Sequence, residues 1–537
     1  MNWRPGAVLL AVLLGQSAPT FKAPAPSFTD PDRRAKLERA YPEIDRIFQE
    51  YAAGARVPGA AWGVIIDGEL AHTGISGYRD VPSKAPVTAD TVFRIASMTK
   101  SFTAIAILKL RDEGKLSLDD PAEKYVPEMK ALVYPTSDSP KLTVRHLLSH
   151  AEGFPEDNPW GDQQLADTDE QLSAMIRAGI PFSNAPGVAY EYSNFGFAIL
   201  GRIVANVGLG TRGTRGPAEP GGTSPTAAYT TYVTENVLRP LGMTSTTLEP
   251  ARVPADRLAH GYRWEDAQWK NEPLLANGSF GSMGGMLTTL SDLGRYVGAF
   301  LAAWPPRDGP ETGPIKRSSL REMQQVWRPA PAAVSQSPGG TGVQLSTGGY
   351  GYGLRISQTC QFPTVVAHGG GLPGFGTQMR WLPEYGVGLI AFGNLTYTSW
   401  PRTFDTALDA LARTGGLQPR AIEPSPALTS ARDEVAGLIV RWDEATADRL
   451  AAVNLFLDQS KERRRAAIET LRAQVGACHA GSGFDHVENA LRGDWTMACE
   501  RGRLKVAITL APTMPPKVQF ISVSPATDAP RTGTCPQ

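Results

Sequence analysis

Cysteine is scarce in this sequence, and neither sign of charge is in excess. The 537 residues include 4 Cys, and Lys+Arg and Asp+Glu each number 53, so the formal net charge is +0. No two cysteines have the Cys-x-x-Cys spacing of a zinc site, and no basic surplus exists to neutralise nucleic-acid phosphates. Beyond the N-terminal region, no segment reaches the roughly 18 uninterrupted apolar residues of a transmembrane helix. We therefore expect no metal, no cofactor, no nucleic-acid partner and no membrane span.

The composition is that of a globular protein with more than one domain. Hydrophobic residues make up 42% and charged residues 20% of the chain, which is outside the range of disordered proteins. At about 100–200 residues per domain, the length predicts about two to four domains.

Residues 1–18 have the pattern of a secretory signal peptide. Arg4 precedes the apolar run Gly6–Gly15, and the small residues Ser17 and Ala18 follow it. This run is too short to span a bilayer, so the pattern predicts export to a periplasmic or secreted location. Disulfides are allowed there.

The four cysteines permit three disulfide pairings, and the sequence does not choose among them. Cys478 and Cys499 flank one compact stretch, and we expect this pair. None of the cysteines lies in a nucleophile motif, so their predicted role is structural.

Hydrophobic patterns predict an α+β fold for residues 30–418. The strand-like runs Ala60–Ile66 and Glu69–Ile75 are joined by Asp67-Gly68, a strong hairpin signal. A helix-rich section covers residues 95–300, and strand patterns resume after it. We therefore expect an antiparallel sheet formed from both ends of this domain and flanked by helices, with an inserted, mainly helical region.

Three other stretches depart from this pattern. Residues 208–224 and 329–349 are rich in Gly and Pro without hydrophobic periodicity, and we interpret both as surface insertions. Residues 419–537 combine helical patterns with three alternating runs, which predicts a small α+β accessory domain. It carries no catalytic cluster, so cell-envelope contact and inert packing are both open as its role.

Ser97 and Lys100 are the first candidates for chemistry. Residues three apart share one face of a helix, so the two side chains meet if a helix begins near Ser97. A serine hydroxyl becomes a nucleophile when an adjacent base takes its proton, and a neutral lysine can be that base. Of all lysines in the chain, only Lys100 has Ser three positions before it. A solvated Lys100 behind a Ser97 helix cap is the structural alternative.

Tyr192 and Asn194 form the second candidate pair, and they are the only Tyr-x-Asn in the sequence. A phenol beside a lysine can pass a proton to a leaving group, because the two groups have similar pKa values. The Asn194 amide can both donate and accept hydrogen bonds, which suits it to hold a substrate carbonyl and to orient Lys100. The alternative is a turn whose tyrosine packs into the core.

His368 opens the third candidate element, which continues as Gly369-Gly370-Gly371. It follows a buried-strand pattern, and glycines after a strand let backbone N–H groups approach a substrate closely. His-x-Gly also occurs at His72 and His479, so the motif alone is weak.

Taken in order, Ser97-x-x-Lys100, Tyr192-x-Asn194 and His368-x-Gly370 resemble the three motifs of the penicillin-recognising serine hydrolases. The branch that contains class C β-lactamases, D,D-carboxypeptidases and related esterases is the most similar. The resemblance covers roughly residues 35–415 and implies a β-lactamase/transpeptidase-like fold.

The resemblance also implies roles for these residues. Ser97 attacks a carbonyl to give an acyl-enzyme, while Lys100 and Tyr192 share the general-base work. Asn194, His368, Gly370 and Gly371 bind the substrate, with the oxyanion between the backbone N–H groups of Ser97 and Gly371.

The third motif departs from many relatives, in which a lysine at the position of His368 attracts a substrate carboxylate. A histidine is mostly neutral at pH 7, which favours an esterase or peptidase acting on a small ester, amide or peptide over an efficient β-lactamase. The alternative is a penicillin-binding sensor or binder that acylates slowly and does not turn over.

His146 and His150 are four residues apart and would share one face of a helix. Metallopeptidases with this spacing need Glu after the first His, where this chain has Leu147. We expect no metal here.

Overall fold

The computed structural model describes residues 25–208, 223–336, 343–481 and 483–526. The chain divides into two compact units, one formed by Phe28–Arg420 and one that contains residues 421–526. The predicted signal peptide, residues 1–18, and most of the stretch 208–224 lie outside the described residues.

The secondary structure of both units is as follows. The helices are α1 (Arg33–Glu38), α2 (Tyr41–Gly54), α3 (Thr99–Asp112), α4 (Val144–Leu148), α5 (Trp160–Gln163), α6 (Asp169–Ala178), α7 (Asn194–Gly208), α8 (Pro225–Val233), α9 (Gly281–Gly284), α10 (Leu290–Ala303), α11 (Arg317–Met323), α12 (Pro401–Arg413), α13 (Pro426–Val440), α14 (Glu444–Leu450) and α15 (Lys461–Val475). The strands are β1 (Gly59–Ile66), β2 (Glu69–Asp80), β3 (Ala85–Pro86), β4 (Phe93–Arg94), β5 (Gly261–Glu265), β6 (Gln268–Glu272), β7 (Leu287–Thr288), β8 (Arg328–Gln336), β9 (Val343–Tyr350), β10 (Arg355–Thr359), β11 (Val365–Leu372), β12 (Phe375–Leu382), β13 (Val387–Gly393), β14 (His486–Asn489), β15 (Arg492–Cys499), β16 (Gly502–Leu510) and β17 (Val518–Pro525).

The larger unit is organised around an antiparallel sheet that joins both of its ends. Within the described residues this sheet has nine strands in the order β3-β2-β1-β13-β12-β11-β10-β9-β8. The hairpin at Asp67-Gly68 is present, and β1 pairs with β13 so that Ala60 is opposite Gly393 and Ile66 is opposite Val387. The predicted α+β class, with a sheet built from both ends and helices between them, is confirmed.

Both faces of the sheet are covered, and for this reason every residue of β1 is buried. Trp62 and Val64 pack into a core shared with α2 and α12 on one face. Ala61 and Ile65 pack into the larger core on the other face, which includes α3, α7 and α10. The nucleophile candidate lies on this second face.

One sequence interpretation is wrong. Residues 329–349, which we expected to be a surface insertion, contribute the strands β8 and β9. β8 is the edge strand of the sheet, where a proline can replace a residue whose N–H would have no partner. The pairing shifts register between Ala330 and Ala333, as at a bulge.

The smaller unit has its own core. Its sheet has the order β14-β15-β16-β17, and Trp495, Met497 and Val506 are buried against α13 and α15. The predicted disulfide between Cys478 and Cys499 is confirmed. In the part of the chain that the structure describes, we find no helix with the length and apolar character needed to cross a membrane.

Candidate active site

Ser97 lies where a short strand changes into a helix. β4 leads into a turn of 3₁₀ helix, Ala96–Met98, and α3 begins directly after it. Ala96 has a φ of 48°, in the left-handed region that residues other than glycine seldom adopt. Such strained backbone clusters at functional sites, and here it immediately precedes Ser97, whose exposed fraction is 8%.

Lys100 is fully buried one helical turn beyond Ser97. Its Nζ is 3.2 Å from Ser97 Oγ, so the predicted spacing does bring the two groups together. The ammonium also donates to Asn194 Oδ1 at 2.6 Å and to the Met283 carbonyl at 3.0 Å. Lys100 has an exposed fraction of 0%, so the solvated alternative for its side chain is excluded.

Burial changes the protonation of this lysine. Removal from water lowers the pKa of Lys100 to about 7, although the carboxylates of Asp157 and Asp162 act in the opposite direction. Among the residues that the structure describes, no acidic side chain forms a hydrogen bond with it. A substantial fraction of Lys100 is therefore neutral at physiological pH and able to accept a proton.

Tyr192 is the third side chain of this group. Its ring centroid lies 4.8 Å from Lys100 Nζ, and the Ser97 side chain is near enough to lower the pKa of its phenol slightly. Burial raises the pKa of Tyr192 well above its usual value, so the phenol keeps its proton at neutral pH. Ser97 thus contacts one group that can accept a proton, and a second group that can donate one lies nearby.

Asn194 is held by a carboxylate that sequence reasoning missed. The Asp157 side chain accepts hydrogen bonds from the backbone N–H groups of Asn194 (2.7 Å) and Phe195 (2.8 Å) at the beginning of α7. A carboxylate at a helix N-terminus is stabilised by the unpaired N–H groups there. Asn194 Nδ2 donates to Asn158 Oδ1 at 2.7 Å, which directs Oδ1 toward Lys100.

His368 is buried, and protein groups engage both of its ring nitrogens. Nδ1 is 2.6 Å from the Gly369 carbonyl, which can only accept, so Nδ1 carries the hydrogen and Nε2 accepts from the Tyr350 hydroxyl at 2.9 Å. Burial, with the nearby charges of Arg355 and Lys100, lowers the pKa of His368 to about 3. The third motif therefore carries no positive charge at neutral pH. The predicted substrate-binding role of His368 stays a prediction.

The glycines after His368 lie within β11 and do not follow it, because the strand continues to Leu372. A Cβ on Gly370 would lie 2.1 Å from the carbonyl oxygen of Ile95, two residues before Ser97. A Cβ on Gly371 would lie 2.7 Å from the ring of Tyr397. Only glycine lets β11 approach the nucleophile turn this closely, and the oxyanion role of the Gly371 N–H stays a prediction.

His146 and His150 do not share a helix face. α4 ends at Leu148, and His150 has a φ of 54°, so the chain turns away between them. His150 is fully buried, accepts from the Ser193 N–H at 3.1 Å, and its ring lies 4.4 Å from that of Tyr192. Among the described residues no cluster of His, Cys, Asp and Glu could hold a metal ion.

Comparison with known families agrees with this geometry. The family model described as Beta-lactamase matches residues 44–414, which include all three motifs. The chain belongs to the Beta-lactamase family. It has the serine hydrolase fold of that family, and the family resemblance seen in the sequence is confirmed.

Relatives of known sequence match only part of the chain. Protein flp of Staphylococcus aureus (strain N315) is 31% identical over 222 residues, which is 41% of this chain and 41% of that protein. Beta-lactamase-like protein 2 of Dictyostelium discoideum is 30% identical over 274 residues, 49% of this chain and 45% of that protein. The chain thus spans less than half the length of these relatives.

Solved structures share the fold across most of the chain. The octameric penicillin-binding protein homologue from Pyrococcus abyssi has a TM-score of 0.56 at 21% identity, and the match covers 90% of this chain and 89% of that one. A class C beta lactamase has a TM-score of 0.52 at 20% identity, covering 72% of this chain and 100% of that one. At these identities the similarity establishes the fold alone.

Proposed function

We propose that this protein is an exported serine hydrolase that cleaves an ester or amide bond through an acyl-enzyme on Ser97. The observation that carries the proposal is the contact of the Ser97 hydroxyl with a buried, partly neutral lysine, with a protonated tyrosine nearby. A nucleophile next to a base, with the base oriented by a third group, is the arrangement of covalent catalysis. Here Asn194 is that third group.

The steps follow from the contacts. Neutral Lys100 takes the Ser97 proton as Oγ bonds to the substrate carbonyl carbon, and the carbonyl oxygen takes up the negative charge between two backbone N–H groups. The carbonyl re-forms as the bond to the leaving group breaks, and that group receives a proton from Lys100 through Tyr192. Water then attacks the acyl carbon and gives a proton to Lys100, and this proton passes to Ser97 Oγ as the bond between Oγ and the acyl carbon breaks and the acid is released.

An ester or a peptide suits this site better than an efficient β-lactamase reaction. Relatives that bind a β-lactam carboxylate through the third motif use a cation, whereas the neutral, enclosed His368 supplies none. A chromogenic cephalosporin and a short-chain p-nitrophenyl ester, assayed side by side, test this preference. A much larger kcat/KM for the cephalosporin would contradict it.

Export is the second part of the proposal. The signal-peptide pattern of residues 1–18 is its main support. The disulfide between Cys478 and Cys499 also supports it, because such bonds persist in oxidising compartments. Fractionation of cells that express the full chain, with detection of a processed N-terminus, tests this part.

Covalent labelling tests the acyl-enzyme. Intact-protein mass after incubation with a fluorophosphonate is expected to increase by one adduct, located on Ser97, and Ser97→Ala is expected to take no label. Labelling of the Ser97→Ala variant would contradict the assignment. Release of p-nitrophenol that continues beyond one equivalent identifies a turning-over hydrolase, whereas a slow release that stops at one equivalent identifies the slow-acylating binder.

The activity is expected to rise with pH through a midpoint near 7. Lys100 must be unprotonated to act as a base, and its pKa of about 7 places half of it in that form at neutral pH. Below the midpoint, kcat/KM for a neutral ester should fall about tenfold per pH unit. Initial rates between about pH 5.5 and pH 9 test this, and a flat or falling profile over that interval would exclude Lys100 as the base.

A further inference from the structure

His150 is a buried polar residue that the proposed reaction steps do not use. It lies in the loop after α4, and its exposed fraction is 0%. Its φ of 54° is seldom adopted by residues other than glycine, and its Nε2 has no hydrogen-bond partner among the described residues. Both features destabilise a folded protein, so packing alone would favour an apolar side chain here. We therefore looked for contacts that only an imidazole at this position can make.

His150 holds the backbone on both sides of Tyr192. Its carbonyl oxygen accepts a hydrogen bond from the Glu191 N–H at 3.0 Å. Its ring nitrogen Nδ1 accepts one from the Ser193 N–H at 3.1 Å. One residue thus fixes the chain directly before and directly after the tyrosine, and the left-handed backbone of His150 lets its carbonyl and its ring reach both positions.

The imidazole ring also packs behind the two rings that lie next to the lysine. Its centroid is 4.4 Å from that of Tyr192 and 5.1 Å from that of Phe197. Lys100 Nζ lies 4.8 Å from the first of these rings and 5.7 Å from the second. His150 therefore limits the movement of the Tyr192 phenol relative to Lys100, although it touches neither Lys100 nor Ser97 through a hydrogen bond in the described part of the chain.

The bond to Ser193 requires a neutral imidazole, because a protonated Nδ1 cannot accept. Burial, together with the positive charges of Lys100 and Arg355, lowers the pKa of His150 well below its usual value. The carboxyl group of Glu152 lies 3.8 Å from Nδ1, but burial raises the pKa of Glu152 well above its usual value. Glu152 is therefore an uncharged acid that does not draw a proton onto the ring.

We propose that His150 is a positioning residue that holds the Tyr192 hydroxyl where it can pass a proton to the leaving group. This inference rests on the proposed function and deepens it. The bond between the acyl carbon and the leaving oxygen breaks as that oxygen takes the phenol proton, and the phenol regains a proton from Lys100. A leaving group that needs this proton depends on His150, and one that departs as a stable anion does not.

Two esters with the same acyl group test the inference. p-Nitrophenolate departs as a stable anion, whereas the ethoxide of ethyl butyrate must be protonated. His150→Gly removes the ring and accepts the positive φ without strain. We expect its kcat/KM to fall about 100-fold for ethyl butyrate and less than about tenfold for p-nitrophenyl butyrate. His150→Asn keeps an acceptor at the δ position and tolerates the left-handed backbone, so its ratio of the two values should lie between those of wild type and His150→Gly.

Lys84→Gly is the matched control, because Lys84 is exposed and has the same φ of 54°. It should leave both rates unchanged. Equal losses on the two esters in His150→Gly overturn the inference and make His150 a support of the fold alone. If that variant does not fold, by circular dichroism, His150→Asn decides: a ratio equal to that of wild type overturns the inference.

The failure of this inference can be told from that of the proposed function. If wild type hydrolyses neither ester and Ser97 takes no fluorophosphonate label, the proposed function fails and the role of His150 with it. If wild type is labelled and hydrolyses p-nitrophenyl butyrate but not ethyl butyrate, no proton reaches the leaving group, and only the role of His150 is overturned.

Discussion

Replacement of Lys100 by methionine is expected to lower kcat/KM for a p-nitrophenyl ester by about 10²- to 10⁴-fold, the range for loss of a general base. Methionine fills a similar volume but cannot take the Ser97 proton, and the neighbouring Tyr192 is held in its protonated form by burial. The loss should appear in kcat and in the rate of fluorophosphonate labelling. Circular dichroism and the thermal midpoint of the variant show whether the fold is kept.

The Lys100→Arg variant tests whether Lys100 is needed as a base or only as a positive charge. Arginine keeps the charge but cannot become neutral in a protein, so the activity should fall to a similar degree. Lys130→Met is the matched control, since Lys130 is exposed and removing it changes the net charge equally. An arginine variant within about threefold of wild type would contradict the assignment of Lys100 as the base.

The nucleophile pair could be predicted because its geometry is local. Ser97 and Lys100 are three residues apart, and the helix that begins between them fixes their separation whatever the rest of the chain does. The burial that lowers the pKa of Lys100 is a property of the whole fold. From the sequence we can infer that Lys100 must be buried to act as a base, but not that the fold buries it.

The positions of the other side chains around Ser97 depend on contacts between segments that are distant in the sequence. Asp157 reaches the beginning of α7 across 37 residues of sequence, and no spacing rule connects it with Asn194. Arg355 is brought beside Tyr192 by the pairing of β10 with β11, which requires knowledge of the strand order. The motifs therefore predict which candidate side chains meet at Ser97, whereas the groups packed around them emerge only with the sheet.

The error at residues 329–349 has a similar origin. Proline and glycine, and to a lesser degree alanine, are depleted in strands on average, and a stretch rich in them favours a loop. The rule is weaker for an edge strand, because the backbone groups on its outer side form no hydrogen bonds with a neighbouring strand. Whether a strand lies at an edge depends on the strand order of the whole sheet. Here β8 is the last strand at one edge, and β9 is its neighbour.

Gly370→Ala is expected to lower kcat/KM by about 100-fold without unfolding the protein. The added methyl group would lie 2.1 Å from the Ile95 carbonyl oxygen and 2.5 Å from Thr377 Oγ1, so the strand must move away from the turn that carries Ser97. Thr377 Oγ1 itself donates to the Ile95 carbonyl at 3.0 Å, and that bond is displaced too. A shift of about 1 Å between catalytic groups costs about 100-fold in rate. Steady-state kinetics and the labelling rate measure the effect.

Gly369→Ala is the matched control in the same strand. Its Cβ would lie 2.9 Å from Gln378 Oε1, the far end of a flexible side chain that can rotate away, and at an ordinary contact distance of 3.7 Å from the Thr377 carbonyl oxygen. We expect this variant to stay within about threefold of wild type, because the added methyl group is not near the Ile95 carbonyl and fits after rotation of one side chain. Equal losses in both variants would show that β11 tolerates no side chain anywhere along the glycine run. A fully active Gly370→Ala would show that the nucleophile turn does not depend on the close approach of β11.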